Sequence, residues 1–504
     1  MSSKSQEKLS IDKVYSVSLR NSGEILEGEV IKGYYLFYQS DKIDRNTNEY
    51  TLQILDQNLG KVKEIKFQDS KNLYLLESSY NGDAIGFLYW DTELKQLDFR
   101  IYDMTGKKRM NYAKEVDRRT EQLIAQQRQN SGAEDGENQN IFDVPQKGFV
   151  SINPLKDGKA YSYEVNYYSS KSKKSWSYIP ADEVKYTNAS FLGANDSLIL
   201  FEVLKREKLM SGKMTSFVLG LNVHNGKKAF ETSTETGSNK FFPINLSKQE
   251  GKNEFVLIGP YFDGDDKIMQ DQSKGLAIWV IDSKGKITNE KYKSWEGDIS
   301  KFLKLDNKGR LENIGYLYFH EVLQTADGKF FAIGEGYRKQ ASAAGIALKV
   351  LTTAAGGGGG VNVTKMNITD MVMLQFSKDF ELENATIYDK NNNNVSYPGT
   401  DFMSPHTMAL VIKAWGGFDY SFTLPSKNNT SFYTGYTDYE RTKDFKGLTF
   451  HSISYADGQI STDKINLTTK SSRMSIHPAK PGYVMILEYF RKDKRLDLRL
   501  EKIN

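Results

Sequence analysis

The chain lacks cysteine altogether, with none among its 504 residues. This absence excludes disulfide bonds, thiolate nucleophiles and cysteine-based zinc sites. Long apolar runs are missing too, since no stretch approaches the roughly 18 to 20 residues that span a bilayer as a helix. Met1–Ser10 is too polar for a signal peptide, and Ser2–Gln6 is typical of the start of a mature exported protein behind an added methionine. We therefore expect a periplasmic protein whose signal peptide is absent from this chain.

A strong excess of one charge is also absent. The 68 lysines and arginines are nearly balanced by 64 aspartates and glutamates, which leaves a formal net charge of +4. The densest basic clusters, Lys171–Lys174 and Arg491–Arg495, are short and typical of solvated loops. A nucleic-acid-binding protein normally carries a concentrated basic surface. We expect no nucleic-acid partner and no membrane-spanning segment.

What the sequence does contain is a repeated turn. A strand-like segment runs into an Asp- or Asn-rich turn that ends in Gly-Lys or Gly-Arg, and another strand-like segment follows. Asp and Asn cap such turns and Gly supplies the positive φ, so each copy predicts a β-hairpin. The clearest copies are Asp56–Lys61, Asp103–Lys107, His224–Lys227, Asp282–Lys286 and Asp306–Arg310, and looser ones are Lys156–Lys159, Ala326–Lys329 and Ala456–Gln459.

The strand-like segments fall into successive groups about 45 to 60 residues apart, a spacing typical of propeller blades. The last group has only three candidate strands, Arg473–Ile476, Tyr483–Tyr489 and Arg495–Leu500. The N-terminal run Lys13–Leu19 is the candidate for the fourth, which would close the ring and remove the exposed sheet edges. The sequence therefore predicts an all-β fold, a single β-propeller domain over residues 1–504 with eight blades, or seven as the alternative.

Three segments depart from this pattern. Glu115–Asn140 is a polar, Gln-rich insertion, which predicts a short frayed helix followed by a loop. Apolar residues at helical spacing in Ser294–Leu305 predict a packing helix. The insertion Ala341–Val363 is rich in Ala and Gly, and Lys349 is its only charged residue although 26% of the chain is charged.

The Ala341–Val363 insertion has two interpretations. Its first half has the composition of a short apolar helix, and five consecutive glycines form a hinge after it. Such a helix either packs on its own domain or inserts into a partner protein. In the second interpretation the partner-binding residues are Ile346, Leu348, Val350, Leu351, Gly356, Gly357, Gly358, Gly359 and Gly360.

Sequence motifs for catalysis are not found. The five histidines are scattered, with no pair at metal-ligand spacing, and no nucleophile elbow, phosphate loop or dinucleotide fingerprint is present. Asp263–Asp266 offers oxygens to calcium but lacks the later bidentate glutamate of an EF-hand loop. The sequence therefore predicts a protein that is not an enzyme and has no metal ligands and no cofactor.

Aromatic residues support a different interpretation. Trp415, Phe418 and Tyr420 surround two glycines, which predicts a tight loop whose rings either stack on sugars or pack inside the blades. A glycan-hydrolysing site would also need a pair of carboxylates. The candidates for that pair are Asp438, Glu440 and Glu488.

A family resemblance is carried by five segments: Val14–Gly23, Ser294–Glu296, Gly334–Lys339, Ala414–Tyr420 and the C-terminal Pro481–Asn504. Through them nearly the whole chain resembles an uncharacterised family of exported β-propeller-like envelope proteins of Gram-negative bacteria. In size and general character it is also similar to the periplasmic plug subunit of the type IX secretion translocon. The resemblance supplies no established active site.

The first functional interpretation is therefore a non-enzymatic, protein-binding propeller of the bacterial envelope. It would be an accessory or plug subunit of an outer-membrane protein-secretion channel, as in type IX secretion. The strands would form a rigid scaffold and the insertions would carry the contacts, because loops tolerate variation. The alternative is a carbohydrate-binding or glycan-hydrolysing propeller.

Overall fold

The computed structural model describes residues 8–28, 30–118, 121–122, 139–157, 160–181, 186–208, 213–248, 253–306, 310–341, 364–395 and 404–503. Within these residues nearly all regular structure is antiparallel β-sheet. The strands form eight blades. One hydrogen-bonded sheet contains eight strands, but it counts as two blades, because only a single parallel bridge between Tyr161 and Tyr186 joins its two groups of four strands. The prediction of an eight-bladed, all-β propeller is confirmed.

The first four blades follow one another along the chain after β1 (Lys8–Ile11). Blade 1 contains β2 (Ser16–Val17), β3 (Gly23–Glu27), β4 (Val30–Lys42), β5 (Thr47–Asp56) and β6 (Lys61–Ser70). Blade 2 contains β7 (Leu73–Tyr80), β8 (Ala84–Asp91), β9 (Gln96–Asp103) and β10 (Lys108–Glu115). Blade 3 contains β11 (Ile141–Val144), β12 (Gly148–Asp157), β13 (Ala160–Ser169) and β14 (Ser175–Tyr178). Blade 4 contains β15 (Tyr186–Ala194), β16 (Leu198–Arg206), β17 (Thr215–Asn222) and β18 (Lys228–Ser233).

The second four blades continue the same order. Blade 5 contains β19 (Glu235–Thr236), β20 (Asn239–Phe241), β21 (Asn245–Lys248), β22 (Glu254–Asp263), β23 (Gly275–Asp282) and β24 (Ile287–Ser294). Blade 6 contains β25 (Tyr316–Gln324), β26 (Phe330–Ala341), β27 (Thr364–Phe376), β28 (Leu382–Tyr388) and β29 (Asn393–Val395). Blade 7 contains β30 (Tyr420–Pro425), β31 (Ser431–Arg441), β32 (Lys446–Ala456) and β33 (Gln459–Leu467). Blade 8 contains β34 (Arg473–Pro478), β35 (Tyr483–Phe490) and β36 (Arg495–Lys502), and β1 completes it.

The ring is closed by strands from both ends of the chain, but not by the predicted residues. β1 pairs with β36 in register Lys8↔Arg499 to Ile11↔Leu496. The predicted run Lys13–Leu19 instead contributes the short β2 to blade 1, and that prediction was wrong. The physical reason is Lys13, whose φ of 61° breaks the extended chain into two short strands that serve different blades.

The hydrophobic core lies mainly between neighbouring blades. At the blade 6–7 boundary, for example, Phe331 and Met371 pack against Phe432, Ile453 and Tyr455. Central strands such as β8 are thus buried on both faces, whereas the outermost strands β6 and β33 have mostly exposed and half-buried positions. This difference is expected for strands on the rim of a propeller, where one face meets solvent.

The chain connections divide the propeller into two faces. Within a blade, one loop joins strand one to strand two and another joins strand three to strand four. Both loops lie at the same end of the blade, which we call the turn face. The second and third strands, and successive blades, are joined at the other end, which we call the insertion face. The Gly-containing turns at Gly60, Gly106, Gly226, Gly285, Gly328 and Gly458 all lie on the turn face.

The turns are capped as their sequence predicts. The Asp282 carboxylate accepts the backbone N–H groups of Lys284 and Lys286, both within 2.9 Å, and Gly285 has a φ of 80°. The Asp56 turn differs, because Leu59 takes the positive φ of 65° in place of the following glycine. Leu59 is fully buried, so its packing offsets the backbone strain.

The Gly285→Ala substitution tests how tightly these turns are packed. A Cβ at Gly285 would come within 2.4 Å of the Phe230 ring, whereas a Cβ at Gly458, which has a similar φ of 77°, would meet nothing within 4 Å. We expect Gly458→Ala to cost about 1 kcal/mol through backbone strain alone. Gly285→Ala should cost roughly 1 to 3 kcal/mol more through overpacking. Urea unfolding of both variants measures the difference, and equal losses would contradict the packing argument.

Two helical predictions need correction. Ser294–Leu305 does not form a packing helix: the only helical turn there is the 3-10 turn Ile299–Lys301, and the Asp298 carboxylate accepts the Ser294 N–H instead. An α-helix forms at Pro405–Ala414, which was not predicted, with Ser404 accepting the Thr407 N–H as its N-cap. In the part of the chain that the structure describes, no helix is long and apolar enough to cross a membrane.

Candidate functional site

The predicted partner-binding residues Ile346, Leu348, Val350, Leu351 and Gly356–Gly360 lie outside the described residues. Their place on the propeller is nevertheless defined by the flanking strands. Ala341 and Thr364 are directly paired at the end of the β26–β27 hairpin, on the insertion face. The Glu115–Asn140 insertion also leaves from this face, because it connects β10 of blade 2 to β11 of blade 3.

The predicted aromatic residues lie just after the Pro405–Ala414 helix. Trp415 caps the helix and is 39% exposed, whereas Phe418 is buried and stacks on Tyr318 with ring centroids 5.3 Å apart. Tyr420 begins β30 and stacks on His320 at 4.5 Å. The structure therefore leaves one ring of the three widely accessible, and a role of the three in sugar binding stays a prediction.

A buried ionic cluster joins blade 6 to blade 7 at this point, and we call it the junction cluster. It consists of Glu335 on β26, Lys390 after β28 and Asp419 before β30. The Glu335 carboxylate has no exposed surface and accepts the backbone N–H groups of Asp419, at 3.0 Å, and Tyr420, at 3.2 Å. A blade 6 side chain thus holds the chain at the entry to blade 7.

Lys390 supplies the positive charge of the junction cluster. Its ammonium group is fully buried, lies 3.0 Å from Glu335 and donates a short hydrogen bond to Asp419. The neighbouring residue Asn391 donates through its backbone and side chain to Asp438 of blade 7, each at 3.1 Å. The segment after β28 therefore fastens two blades together.

The electrostatics of the junction cluster are unbalanced, because two carboxylates share one ammonium group. Burial raises the pKa of Asp419 to about 6, and the nearby Glu335 adds to that rise. Burial also raises the pKa of Glu335, although Lys390 opposes it. Burial would lower the pKa of Lys390, but the two carboxylates outweigh it and raise that pKa. The cluster thus favours uptake of one proton as the pH falls towards 6.

His320 stands next to this cluster without a hydrogen bond. Its Nε2 lies 3.4 Å from a Glu335 oxygen, but neither ring nitrogen has a hydrogen-bond partner in the described parts of the chain. Burial lowers the pKa of His320 well below its usual value, and the charge of Lys413 lowers it further. At neutral pH the ring is therefore an uncharged aromatic surface for Tyr420 and Phe418.

The predicted carboxylates do not form one group. Asp438 and Glu440 lie on one side of β31, and with His451 of β32 their possible ligand atoms all fall within 4.8 Å of one another. Glu488 is elsewhere, bonded to Arg499 in blade 8. Glu440 is also paired with Lys464, and three N–H groups already point at Asp438, so the existing donors stabilise this group without a metal ion.

A cavity opens between blades 5 and 6 under the Pro405–Ala414 helix, and we call it the helix cavity. Its volume is about 40 Å³. Trp295, Tyr316 and Tyr337 form its walls, with Arg310 and His406 among the polar lining residues. The Tyr337 hydroxyl donates to the Pro405 carbonyl at 2.8 Å and so holds the start of the helix over the cavity.

Residues 1–504 match the profile of DUF6770, a family of unknown function. The chain belongs to the DUF6770 family. Comparison with curated proteins finds no match for it.

Solved propeller structures resemble this DUF6770 member only distantly. The WD40 domain of SCAP from fission yeast is 7% identical with a TM-score of 0.37, covering 98% of each chain. Prolyl oligopeptidase B from Galerina marginata is 9% identical with a TM-score of 0.41, covering 94% of this chain and 56% of that one. The β-propeller domain of the Trilobed protease from Pyrococcus furiosus is 12% identical with a TM-score of 0.33, covering 78% and 97%. Likenesses at this level say nothing about function, and the fold assignment rests on the strand pairing.

Sequence reasoning missed the junction cluster of the DUF6770 chain. Glu335 and Asp419 lie within Gly334–Lys339 and Ala414–Tyr420, two segments that carried the family resemblance. Their meeting could not be predicted, because 84 residues separate the bonded groups. Lys390 lies in an Asn-rich stretch and gives no local signal at all.

Proposed function

We propose that this protein is a non-enzymatic, protein-binding β-propeller of the bacterial envelope that docks on its partner through the insertion face. The partner is an outer-membrane protein-secretion channel, for which the propeller is an accessory or plug subunit in the periplasm. The envelope assignment is supported by the family resemblance of the five segments, among them Ser294–Glu296 and Ala414–Tyr420.

One observation carries the docking part of the proposal: the long connections and the exposed apolar side chains share one face. Both predicted insertions leave from the insertion face, and the Pro405–Ala414 helix lies there too. Among the described residues, eight of the nine exposed large hydrophobic side chains also lie towards this face, and single exposed apolar residues become informative when they cluster. Val62, near the start of β6, is the exception.

A precise removal of the Ala341–Val363 insertion tests the proposal. Because Ala341 and Thr364 are directly paired, replacing residues 342–363 with Asn-Gly makes a two-residue hairpin turn without disturbing the register. We expect this variant to lose its envelope partner in affinity purification under mild extraction, with a melting temperature within about 2 °C of the parent. Mass spectrometry of the parent sample should identify an outer-membrane channel protein.

A matched control lies on the opposite face. Val62 is 63% exposed near the turn face, so Val62→Ser removes an exposed apolar side chain away from the proposed contact. This control should retain the partner. Recovery of the parent chain as a lone monomer would contradict the proposal. Loss of folding in the shortened variant would show that the insertion packs on its own domain.

The alternative is a carbohydrate-binding or glycan-hydrolysing propeller, and one observation favours the binding version. Trp415 is exposed on the insertion face beside the inner strand that begins with Tyr420, a position from which an indole can stack on a sugar. A glycan array with the parent and Trp415→Ala separates the two proposals. Binding that Trp415→Ala abolishes would favour the alternative.

A further inference from the structure

The helix cavity is small and opens on the insertion face. Trp295 follows the last strand of blade 5, Tyr316 begins the first strand of blade 6, and the helix lies in the connection into blade 7. All three are insertion-face positions. A volume of about 40 Å³ is enough for about three water molecules. The cavity therefore fits a terminal chemical group and is far too small for a cofactor or a whole sugar.

The lining combines apolar walls with one cation. Aromatic rings of Trp295, Tyr316 and Tyr337 form much of the wall. Arg310 is the one charged residue among the described residues of the lining, which include no aspartate and no glutamate. Asp306 binds one edge of the Arg310 guanidinium group, through Nε at 2.8 Å, and the side chain remains one-third exposed. The described lining thus offers one cation and no acid, which favours a negatively charged occupant at the part of the guanidinium group that Asp306 does not bind.

His406 provides an independent sign that a polar group belongs in the cavity. It is only 7% exposed, yet its Nε2 has no hydrogen-bond partner in the described chain. Buried polar atoms are nearly always hydrogen-bonded, so an orphaned nitrogen in a cavity wall indicates a missing partner. Burial lowers the pKa of His406 to about 4, so at neutral pH the ring is uncharged and able to donate one N–H.

The start of the Pro405–Ala414 helix adds to this preference. Pro405, His406 and Ala409 all line the cavity. The helix N-terminus carries partial positive charge, and this helix has no acidic residue in its first turn to neutralise it. The guanidinium group, the orphaned imidazole and the helix end belong to residues that line one cavity, and each of the three favours an anion there.

We propose that the helix cavity binds a carboxylate on a short apolar stem, with Arg310 and His406 at the carboxylate and the aromatic walls around the stem. The C-terminal residue of a partner protein and a free short-chain carboxylic acid share this chemistry. The partner version rests on the proposed docking function, since it names the group that the insertion face would capture. The free-acid version stands without it.

Isothermal titration calorimetry of the full chain tests the proposal with three probes. The probes are acetyl-Ala-Leu with a free carboxylate, the same peptide as its C-terminal amide, and 4-methylpentanoate. We expect the free peptide to bind and the amide to bind at least roughly tenfold more weakly, because the amide loses a charged hydrogen bond. Binding of 4-methylpentanoate as tight as that of the peptide would identify a free acid as the ligand. Equal binding of acid and amide, or no binding of any probe at concentrations up to about 10 mM, would overturn the proposal.

Variants connect any binding to the cavity. Arg310→Met should weaken carboxylate binding roughly tenfold or more. The matched control is Lys304→Met, which removes a well-exposed charge from the same connection and should change nothing. His406→Phe keeps a ring against Phe242 and Phe262 and serves as a second, independent variant. Unchanged affinity in both cavity variants would overturn the proposal.

Proton NMR of His406 gives a readout that a purely structural role would not change. A bound carboxylate should raise the pKa of His406 from about 4 towards its ordinary value, because it stabilises the protonated ring. The His406→Phe spectrum assigns the resonance. If no probe binds but the envelope pull-down still recovers a partner, only the cavity proposal is contradicted. If carboxylates bind but the pull-down recovers no partner, only the docking proposal is contradicted.

Discussion

Replacing Lys390 with methionine should lower the free energy of unfolding by about 3 to 5 kcal/mol at pH 7 to 8, the usual cost of removing one partner from a buried ion pair. Methionine keeps most of the volume but leaves Glu335 and Asp419 buried without a cation. Two like charges in a low-dielectric site repel each other strongly. Urea unfolding monitored by circular dichroism measures the loss.

The pH dependence of this loss separates electrostatics from packing. Asp419 already has a pKa raised to about 6 in the intact cluster, and removal of Lys390 would raise it further. At pH 5 the carboxyl group can therefore take up a proton in the folded state, so the deficit of the Lys390→Met variant should shrink. The double variant Lys390→Met with Asp419→Asn should recover part of the stability at pH 8.

An exposed lysine provides the control for this prediction. Lys464 pairs with Glu440 on the surface of blade 7 and its side chain is 46% exposed. Lys464→Met should cost at most about 1 kcal/mol, because exposed pairs contribute little. A loss at Lys390 no larger than the loss at Lys464, or one that stays constant from pH 8 to pH 5, would contradict the electrostatic account.

The second large effect is expected at Glu202 in blade 4, where glutamine should make the protein more stable at high pH. Glu202 lies on β16 with 1% of its surface exposed, and within the described residues its carboxyl group accepts a hydrogen bond from the Ser216 hydroxyl at 3.0 Å. Burial raises the pKa of Glu202 to about 8, although the Ser216 hydrogen bond opposes the rise. The folded protein thus keeps a proton that the unfolded chain releases near pH 4.5.

The sign of the effect follows from proton binding. Between about pH 4.5 and 8 the folded state binds more protons than the unfolded state, so the free energy of unfolding falls as the pH rises. Glutamine mimics the protonated carboxyl group and removes this slope. At pH 9 we expect the free energy of unfolding of Glu202→Gln to exceed that of the parent by about 3 to 5 kcal/mol. At pH 4 the two proteins should be nearly equally stable.

Chemical denaturation at pH 4, 7 and 9 measures this difference. Glu235→Gln on the exposed strand β19 is the control, and it should follow the parent at each pH. Other buried carboxyl groups, such as Asp419, contribute equally to parent and variant and cancel in the comparison. A Glu202→Gln variant that is less stable than the parent at pH 9 would contradict the assignment of a buried neutral acid.

The blades could be predicted from the sequence because their signals are local. Each Asp-capped turn holds its partners within four residues, as Asp282 does for Lys286, so it specifies a tight reversal of the chain. Asp306 caps such a reversal too, but in the connection between blades 5 and 6, where only isolated bridges flank it. The Pro405–Ala414 helix could also have been predicted from the sequence, since Ser404 followed by Pro405 is a helix start signal. The closing strand could not be predicted, because exposed and buried residues alternate in both Lys8–Ile11 and Ser16–Val17. This periodicity indicates a strand but does not tell which sheet the strand joins.

The buried charged sites also differ in how far the sequence could predict them. Glu202 gave a partial signal, as a single acid within the apolar run Leu198–Leu204. The junction cluster gave none, because Glu335, Lys390 and Asp419 are brought together by the packing of blade 6 on blade 7. The helix cavity is likewise made by elements from two blades and a connecting helix.

The sequence by itself determined the β-propeller and the asymmetry between short turns and long insertions, since both depend on contacts between near neighbours in the chain, and it favoured eight blades with seven as the alternative. Only the tertiary structure decided which strand closes the ring, which charges are buried together and where a cavity remains. Those features depend on residues far apart in sequence, and their energies arise from burial. Burial is a property of the packed molecule, so it has no local signature in the chain.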